Sequence, residues 1–313
     1  MNKQRTKPHS LAGATMSGAE MIIQVLADEG VDTVFGYSGG AILPSYDAIF
    51  RFNAANRGDA AEDPLRLVVP ANEQGAGFMA AGYARASGKV GCFMVTSGPG
   101  ATNTVTPIRD CMADSTPVVL ITGQVPTAAM GTDAFQEAPI VNIMGSCAKH
   151  IFLVTKPELL EATIRTAFEV ARSGRPGPVV VDVPKDMQNW VGEFIGDGLL
   201  EIRGYRQRMD SLRNARLSER KCKQFFEMLE QSNRPLLYVG GGVINGNASA
   251  ELTAFAKAYD IPVVSTLMGL GSIDTQHELS LHMLGMHGTA FANYAVEDCD
   301  FLIAVGSRFD DRV

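Results

Sequence analysis

The sequence predicts an α/β protein built from two parallel-sheet domains, and three observations predict it. Short apolar runs recur along the chain, helical stretches separate most of them, and small or turn-forming residues follow nearly every run. Continuous apolar strands alternating with helices indicate a sheet that is covered on both faces.

The first domain opens at Ser17, where "SGAE" reads as a capping box for a helix through Asp28 that Gly30 stops. "VDTVFG" follows as a strand. Further strands are read in "LRLVVP" (65–70), "VGCFMVT" (90–96), "PVVLITG" (117–123) and "GPVVVDVP" (177–184). Residues 186–216 are polar, charged and irregular, which reads as a linker. A second α/β pattern then begins with a helix from Ser218. Its strands are "RPLLYVGGG" (234–242), "IPVVST" (261–266) and "DFLIAVGSRF" (300–309), with helices near 248–259 and 288–297. The expected layout is a tail over 1–16, a first domain over 17–184, a linker over 185–216 and a central domain over 217–313. That last pattern stops at Val313, just after a strand and without a covering helix, so the central domain is expected to be truncated there.

Composition narrows the function. Of 313 residues, 46% are hydrophobic and 19% charged, the balance of a globular protein. The formal charge of −7 and the lack of a basic stripe interleaved with aromatics argue against a nucleic-acid partner. No apolar run approaches the roughly 18 residues of a membrane span, and the first 16 residues lack the apolar core of a secretory signal. No membrane partner is expected, and the expected location is cytoplasmic. The five cysteines form no C-x-x-C pair and the five histidines no H-E-x-x-H, so no metal ligand is assigned.

The candidate site is read from the strand ends. "GYSGGA" (36–41), "TSGPGATN" (96–103), "ITGQVP" (121–126), "VGGG" (239–242) and "TLMGLG" (266–271) each close a strand with small or turn-forming residues. In a parallel sheet, ligands bind at the carboxyl ends of strands, where glycine lets the backbone approach them. One such turn carries little weight, but a series of them points to a ligand. Neither a G-x-G-x-x-G fingerprint nor a P-loop is present.

Glu73, in "NEQGAG", has a plain explanation: Asn72 is a good N-cap, and an acid in the first helical turn suits the macrodipole. The helix behind it holds Gly75, Gly77 and Gly82, each costing about 1 kcal/mol against alanine, so other contacts must offset about 3 kcal/mol. Gly77, Ala80 and Ala84 share a stripe with Glu73, which is expected to admit another backbone or subunit closely. A carboxyl at the end of such a stripe would be largely desolvated, able to hold or share a proton in acid–base work.

Six stretches together, "NEQGAGFMAAGYARASGKVGCFMVTSGPGATN", "TGQVPTAAMGTDAFQE", "SGRPGPVVVDVPKD", "LMGLGS", "LGMHGTAFANYAV" and "SRFDDRV", resemble the acetolactate synthase (acetohydroxyacid synthase) catalytic subunits among the thiamine-diphosphate enzymes. The resemblance covers nearly everything from Ser17 to Val313. It implies a thiamine-diphosphate pyrimidine-binding domain followed by a truncated, Rossmann-like central FAD-binding domain. The implied reaction decarboxylates pyruvate and joins the product to a second 2-oxo acid, pyruvate or 2-oxobutyrate, in branched-chain amino acid synthesis leading to valine, leucine and isoleucine.

By the same resemblance Glu73 is the catalytic acid, hydrogen-bonding the aminopyrimidine N1′ so that the exocyclic nitrogen can deprotonate the thiazolium. Gln136 matches a residue near the thiamine cofactor, and Gly40 with Ala41 match the turn at the reacting centre. Pro126, Ala134, Phe135 and Lys185 match the substrate channel, where Lys185 would attract the anionic 2-oxo acid unless it is an ordinary solvated turn residue. The flavin-contacting positions matched are Ser115, Arg175, Gly241, Thr266, Leu267, Leu284, Gly285, Met286, His287, Gly306, Ser307, Arg308, Phe309, Asp310, Asp311 and Arg312; Arg175 and Arg312 would also serve in plain ion pairs.

Two departures stand out. Ser38 replaces the proline usual in G-Y-P-G-G-A, and the G-D-G…N motif that holds Mg²⁺ and the diphosphate in this family does not occur. The chain alone is therefore expected not to turn over pyruvate unless another chain brings that domain. A homodimer or larger oligomer and a small regulatory subunit are the partners implied. The alternatives are another thiamine-diphosphate enzyme of pyruvate oxidase or decarboxylase type, or a non-catalytic binding or assembly module.

Overall fold

Every side chain from Val118 to Gln124 is buried, as a strand covered on both faces requires. The computed structural model describes residues 8–58, 60 and 62–309, and the chain divides into two units, Met1–Arg213 and Asn214–Val313. In the first unit the elements are β1 (Thr15–Ser17), α1 (Gly18–Asp28), β2 (Thr33–Tyr37), α2 (Leu43–Asn56), β3 (Arg66–Val68), α3 (Glu73–Ser87), β4 (Gly91–Val95), α4 (Pro99–Thr102), α5 (Val105–Asp114), β5 (Val118–Gln124), α6 (Ile140–Met144), β6 (His150–Leu153), α7 (Leu160–Arg172), β7 (Val179–Pro184), α8 (Lys185–Asn189), β8 (Val191–Glu193) and α9 (Tyr205–Arg213).

Six strands form one parallel sheet in the order β3-β2-β4-β5-β7-β6. One face carries Ile22, Ile23 and Leu26 of α1, Ile49 of α2 and Phe168 of α7 against Val119, Ile121 and Val181. The opposite face carries Ala76, Ala80 and Ala84 of α3, Ile108 of α5 and Ile140 of α6 against Phe93, Leu120 and Val180. Helix α1 starts with the capping box the sequence predicts: the Glu20 N–H donates to Ser17 Oγ at 3.2 Å, and the Ser17 N–H donates to Glu20 Oε2 at 2.8 Å.

Two regions differ from expectation. Residues 186–213, read as linker, build α8, β8 and α9 and belong to the first unit. The polar texture concealed two apolar anchors: Phe194 is fully buried, and Trp190 packs on the same core. Strand β8 also pairs antiparallel with β1, Thr15 opposite Glu193. The described part of the tail, in turn, packs on the first unit. His9 Nε2 lies 3.0 Å from Asp28 Oδ1, Arg165 donates to Asp28 Oδ2 at 2.6 Å and to Glu161 at 3.0 Å, and the His9 ring meets Phe194 edge-on.

The second unit contains α10 (Glu219–Gln231), β9 (Pro235–Val239), α11 (Gly242–Asn245), α12 (Ser249–Tyr259), β10 (Val263–Ser265), β11 (Ser280–Met283), α13 (Ala290–Asp298) and β12 (Phe301–Val305). Its parallel strands run β11-β10-β9-β12, the order that opens a doubly wound sheet and reverses direction between β9 and β12. Leu237, Val239 and Ile303 pack on one face with α10 and α12, and Leu236, Tyr238 and Val264 meet α13 on the other. Among the described residues no helix is long and apolar enough to cross a membrane.

Candidate functional site

Because the six-stranded sheet is parallel, the turns after β2, β3, β4, β5 and β7 all emerge at one end. Glycines let those turns press together. A Cβ on Gly39 would fall 2.5 Å from Thr96, one on Gly123 would meet the Ala41 backbone at 2.8 Å, and one on Gly98 would sit 2.4 Å from the Gln136 carbonyl. Gly98 also has a φ of +53°, which side chains avoid. The Ala41 N–H donates to Thr96 Oγ1 at 3.2 Å, and Gln188 Nε2 donates to the Ala41 carbonyl at 2.8 Å. Gly40 is different: a Cβ there would meet nothing within 4 Å, so the chain leaves space beside the turn.

Glu73 heads α3 at this end of the sheet, capped by Asn72, whose Oδ1 accepts from the Gly75 N–H at 2.8 Å. It is 9% exposed. Asn103 Nδ2 donates to Glu73 Oε2 at 3.0 Å, and the other oxygen runs along Gly100, where a Cβ would stand 3.4 Å away. The carboxylate is felt locally: burial and Glu73 push the Tyr46 phenol well above its ordinary range, so Tyr46 stays a donor to the Met94 carbonyl at 2.9 Å. Asn103 stood in a motif the sequence marked, yet only the fold shows it facing the glutamate.

The stripe Gly77, Ala80 and Ala84 admits a close neighbour, as expected, and that neighbour belongs to its own unit. A Cβ on Gly77 would lie 2.5 Å from Pro107 and 3.3 Å from Phe93, and a Cβ on Gly91 would strike the Ala80 carbonyl at 2.3 Å. The small residues let α3 sit tightly on β4 and α5 of its own sheet.

Gln136 and Phe135 ride on the hairpin after β5. Glu137 accepts from the N–H groups of Gly131 and Ala134, which holds the hairpin closed and its own carboxyl below the usual range. Gln136 is exposed with a φ of +58°, Phe135 at the tip is 88% exposed, and Ala134 is half-buried. Pro126 is exposed and Lys185 half-buried. Their turns are joined because the Thr127 N–H donates to Asp186 Oδ1 at 3.0 Å. Ser38 is exposed.

Ser115 and Arg175 lie elsewhere. They precede β5 and β7, so they stand at the amino ends of the strands, roughly 20 Å from the Glu73 end by the length of β5. Arg175 Nε donates to Ser115 Oγ at 2.8 Å and its Nη2 to the Met112 and Ala113 carbonyls at 2.9 and 3.0 Å, capping α5.

In the second unit the predicted positions gather at the carboxyl ends of β9, β10, β11 and β12. Gly240, Gly242 and Gly306 pack backbone against backbone, a Cβ on Gly240 falling 2.4 Å from the Gly306 carbonyl, and Met268 fills the space beside Gly241. Thr266 caps the following turn, Leu284 is buried, and Asn293 grips Gly285 by both backbone groups at 2.8 and 3.1 Å. His287 and Arg308 are exposed, and Ser307 Oγ donates to the Tyr238 carbonyl at 3.5 Å. Leu267, Met286 and Phe309 present bare apolar surface at this edge, 69%, 66% and 62% exposed. Asp310, Asp311 and Arg312 lie outside the described residues.

A thiamine group fits the first unit: a buried carboxyl, held through Oε2 by Asn103, heads α3 at the end of the sheet where the Gly40 turn leaves space. A flat flavin ring fits the apolar edge of the second unit. No group of three or more His, Cys, Asp or Glu side chains that could hold a metal ion occurs among the described residues.

A buried-carboxylate turn on a parallel sheet, followed by a second doubly wound unit, defines a class. The chain belongs to the thiamine pyrophosphate enzymes: residues 16–144 match their N-terminal TPP binding domain and residues 222–313 their central domain. Within that class it is similar to acetolactate synthases. It is 48% identical to the chloroplastic acetolactate synthase of Arabidopsis thaliana, over 95% of this chain and 42% of that protein. It is 46% identical to the acetolactate synthase large subunit of Corynebacterium glutamicum, over 98% and 47%, and 46% identical to the mitochondrial catalytic subunit of Saccharomyces cerevisiae, over 95% and 42%. The chain thus spans less than half the length of these curated relatives.

Proposed function

We propose that this chain forms the pyrimidine-activating and flavin-binding part of an acetolactate synthase, which decarboxylates pyruvate and joins the product to pyruvate or 2-oxobutyrate. The observation that carries the proposal is Glu73, buried at the head of α3 at the carboxyl end of the sheet, with one oxygen held by Asn103 and the other along Gly100. Thiamine diphosphate, when bound, supplies the nucleophilic carbon and the electron sink. The chain's part is to hold and move a proton at Glu73 Oε1, in a site where water competes poorly for it. Asn103 keeps the carboxyl from rotating away. Lys185 attracts the substrate carboxylate, while Pro126, Ala134 and Phe135 line its approach and Gln136 faces the cofactor.

FAD is assigned to the apolar edge at Leu267, Met286 and Phe309, with donors from Ser307, Arg308 and Arg312; the flavin-contacting roles of Ser115 and Arg175 rest on the resemblance alone. Gly241, Thr266, Leu284, Gly285, His287, Gly306, Asp310 and Asp311 complete that assignment. Mg²⁺, a homo-oligomer and a small regulatory subunit rest on the resemblance alone.

The test is product analysis from pyruvate with thiamine diphosphate, Mg²⁺ and FAD, using the chain alone and with a polypeptide carrying the G-D-G…N motif. Acetolactate, lowered about 100-fold or more by Glu73→Gln, supports the proposal. Acetaldehyde or acetyl phosphate in its place reassigns the chain to a decarboxylase or oxidase, and flavin binding without any product leaves a binding module.

A further inference from the structure

Strand β7 reads VVVDVP, and Asp182 sits in it only 1% exposed. Alternation places it on the face of Val180, whose apolar cluster includes Leu120, Ile140 and Met144. Burial there pushes its carboxyl up to about 6, with no charged side chain to offset the desolvation. A valine would continue the strand more cheaply, so the carboxylate calls for an account.

Its partners supply one. Thr122 Oγ1 donates to Asp182 Oδ1 at 2.8 Å, and Gln124 Nε2 donates to Oδ2 at 3.1 Å, both from the neighbouring β5. The same Gln124 nitrogen donates to the Ala138 carbonyl at 3.1 Å, while Gln124 Oε1 accepts from the Val125 N–H at 2.8 Å. The amide therefore has one orientation and both of its N–H bonds are used. Ala138 is where the 131–137 hairpin rejoins the body of the unit before α6.

We propose that Asp182 is a positioning residue: acting through Gln124, it holds the Ala138 carbonyl and so sets where the hairpin carries Gln136 against Gly98. Its bearing on catalysis rests on the carboligation reading, but the structural link does not. Removing the acceptor frees the Gln124 side chain and loosens the hairpin at its root. Asparagine preserves the link, because its oxygen can face Gln124 while the Thr122 hydroxyl turns to accept from its nitrogen.

The experiment is amide hydrogen exchange over residues 128–139 of the whole chain, without cofactor or substrate, so that failure to make acetolactate does not touch it. Asp182→Val and Gln124→Leu are expected to speed exchange of this segment at least about tenfold beyond any change elsewhere. Asp182→Asn and Thr122→Val are expected to stay within about threefold of the parent. The proposal is overturned if Asp182→Val, folded by circular dichroism, exchanges like the parent, or if Thr122→Val opens the segment as much. Should Asp182→Val not fold, Gln124→Leu alone decides: an unchanged hairpin overturns the link, and a selectively opened one upholds it.

Discussion

Glu73 and Asn103 meet across thirty positions of sequence, and their contact shows how much one pair can decide. The Asn103 amide satisfies one oxygen of a carboxyl that is nearly out of water, and removing it leaves that oxygen unpaired at a cost of about 1–3 kcal/mol. Asn103→Ala is therefore expected to lower the urea-unfolding free energy by about that amount. If the carboligation reading holds, acetolactate formation falls with it, because the proton-carrying oxygen is no longer aimed. A variant of unchanged stability would mean that water replaces the amide freely. The sequence singled out Glu73 through its glycine-laden helix, but Asn103, Gln124 and Asp182 carried no signal of their own. Their roles depend on which side chain faces which across β5, β7 and the turn after β4.

At the scale of the element, α3 shows two glycines of opposite kind. Gly77 has no room for a side chain, since a Cβ would enter the ring of Pro107, and Gly77→Ala is expected to destabilise the first unit by about 1–3 kcal/mol. Gly82 faces open space on the same helix, and Gly82→Ala is expected to stabilise by about 0.5–1 kcal/mol. Thermal melts of the two single variants check both signs. A loss at Gly82 as well would reveal a close neighbour on that side of the helix, such as a second copy of the chain. Composition alone could count these glycines but not tell them apart, because the distinction lies in Pro107, a residue of another helix.

At the scale of the whole molecule, titration of Asp182 reaches the stability curve. Its carboxyl is raised from 3.8 to about 6, so its stabilising share is fully present below about pH 4 and lost as pH rises through 6, a difference of about 3 kcal/mol. Asp28, held below its usual value by hydrogen bonds from Arg165 and Gln24 against the opposing burial, works the other way and loses its share only in stronger acid. Urea unfolding of the first unit is accordingly expected to show rising stability from pH 7 to pH 5, and Asp182→Asn to flatten that slope. An unchanged slope in the variant would place the titrating group elsewhere.

The division into units also belongs to this scale. Continuous apolar strands announced two parallel sheets, since burial on both faces leaves no other composition. The strands that escaped notice, β1, β6, β8 and β11, are short, partly exposed and mixed in character. The boundary moved because Trp190 and Phe194 fasten a polar stretch to the first unit.

By itself the sequence determined the parallel α/β class, the helix caps, the glycine turns and the candidate acid, because each depends on residues close together in the chain. Only the tertiary structure decided which turns touch, that the small-residue stripe faces inward, that Ser115 and Arg175 stand at the far end of the sheet, and that Asp182 reaches the Gln136 hairpin. Those facts are set by strand order and packing, and one residue of shift between β5 and β7 would turn Asp182 away from Thr122 and Gln124 to the other face.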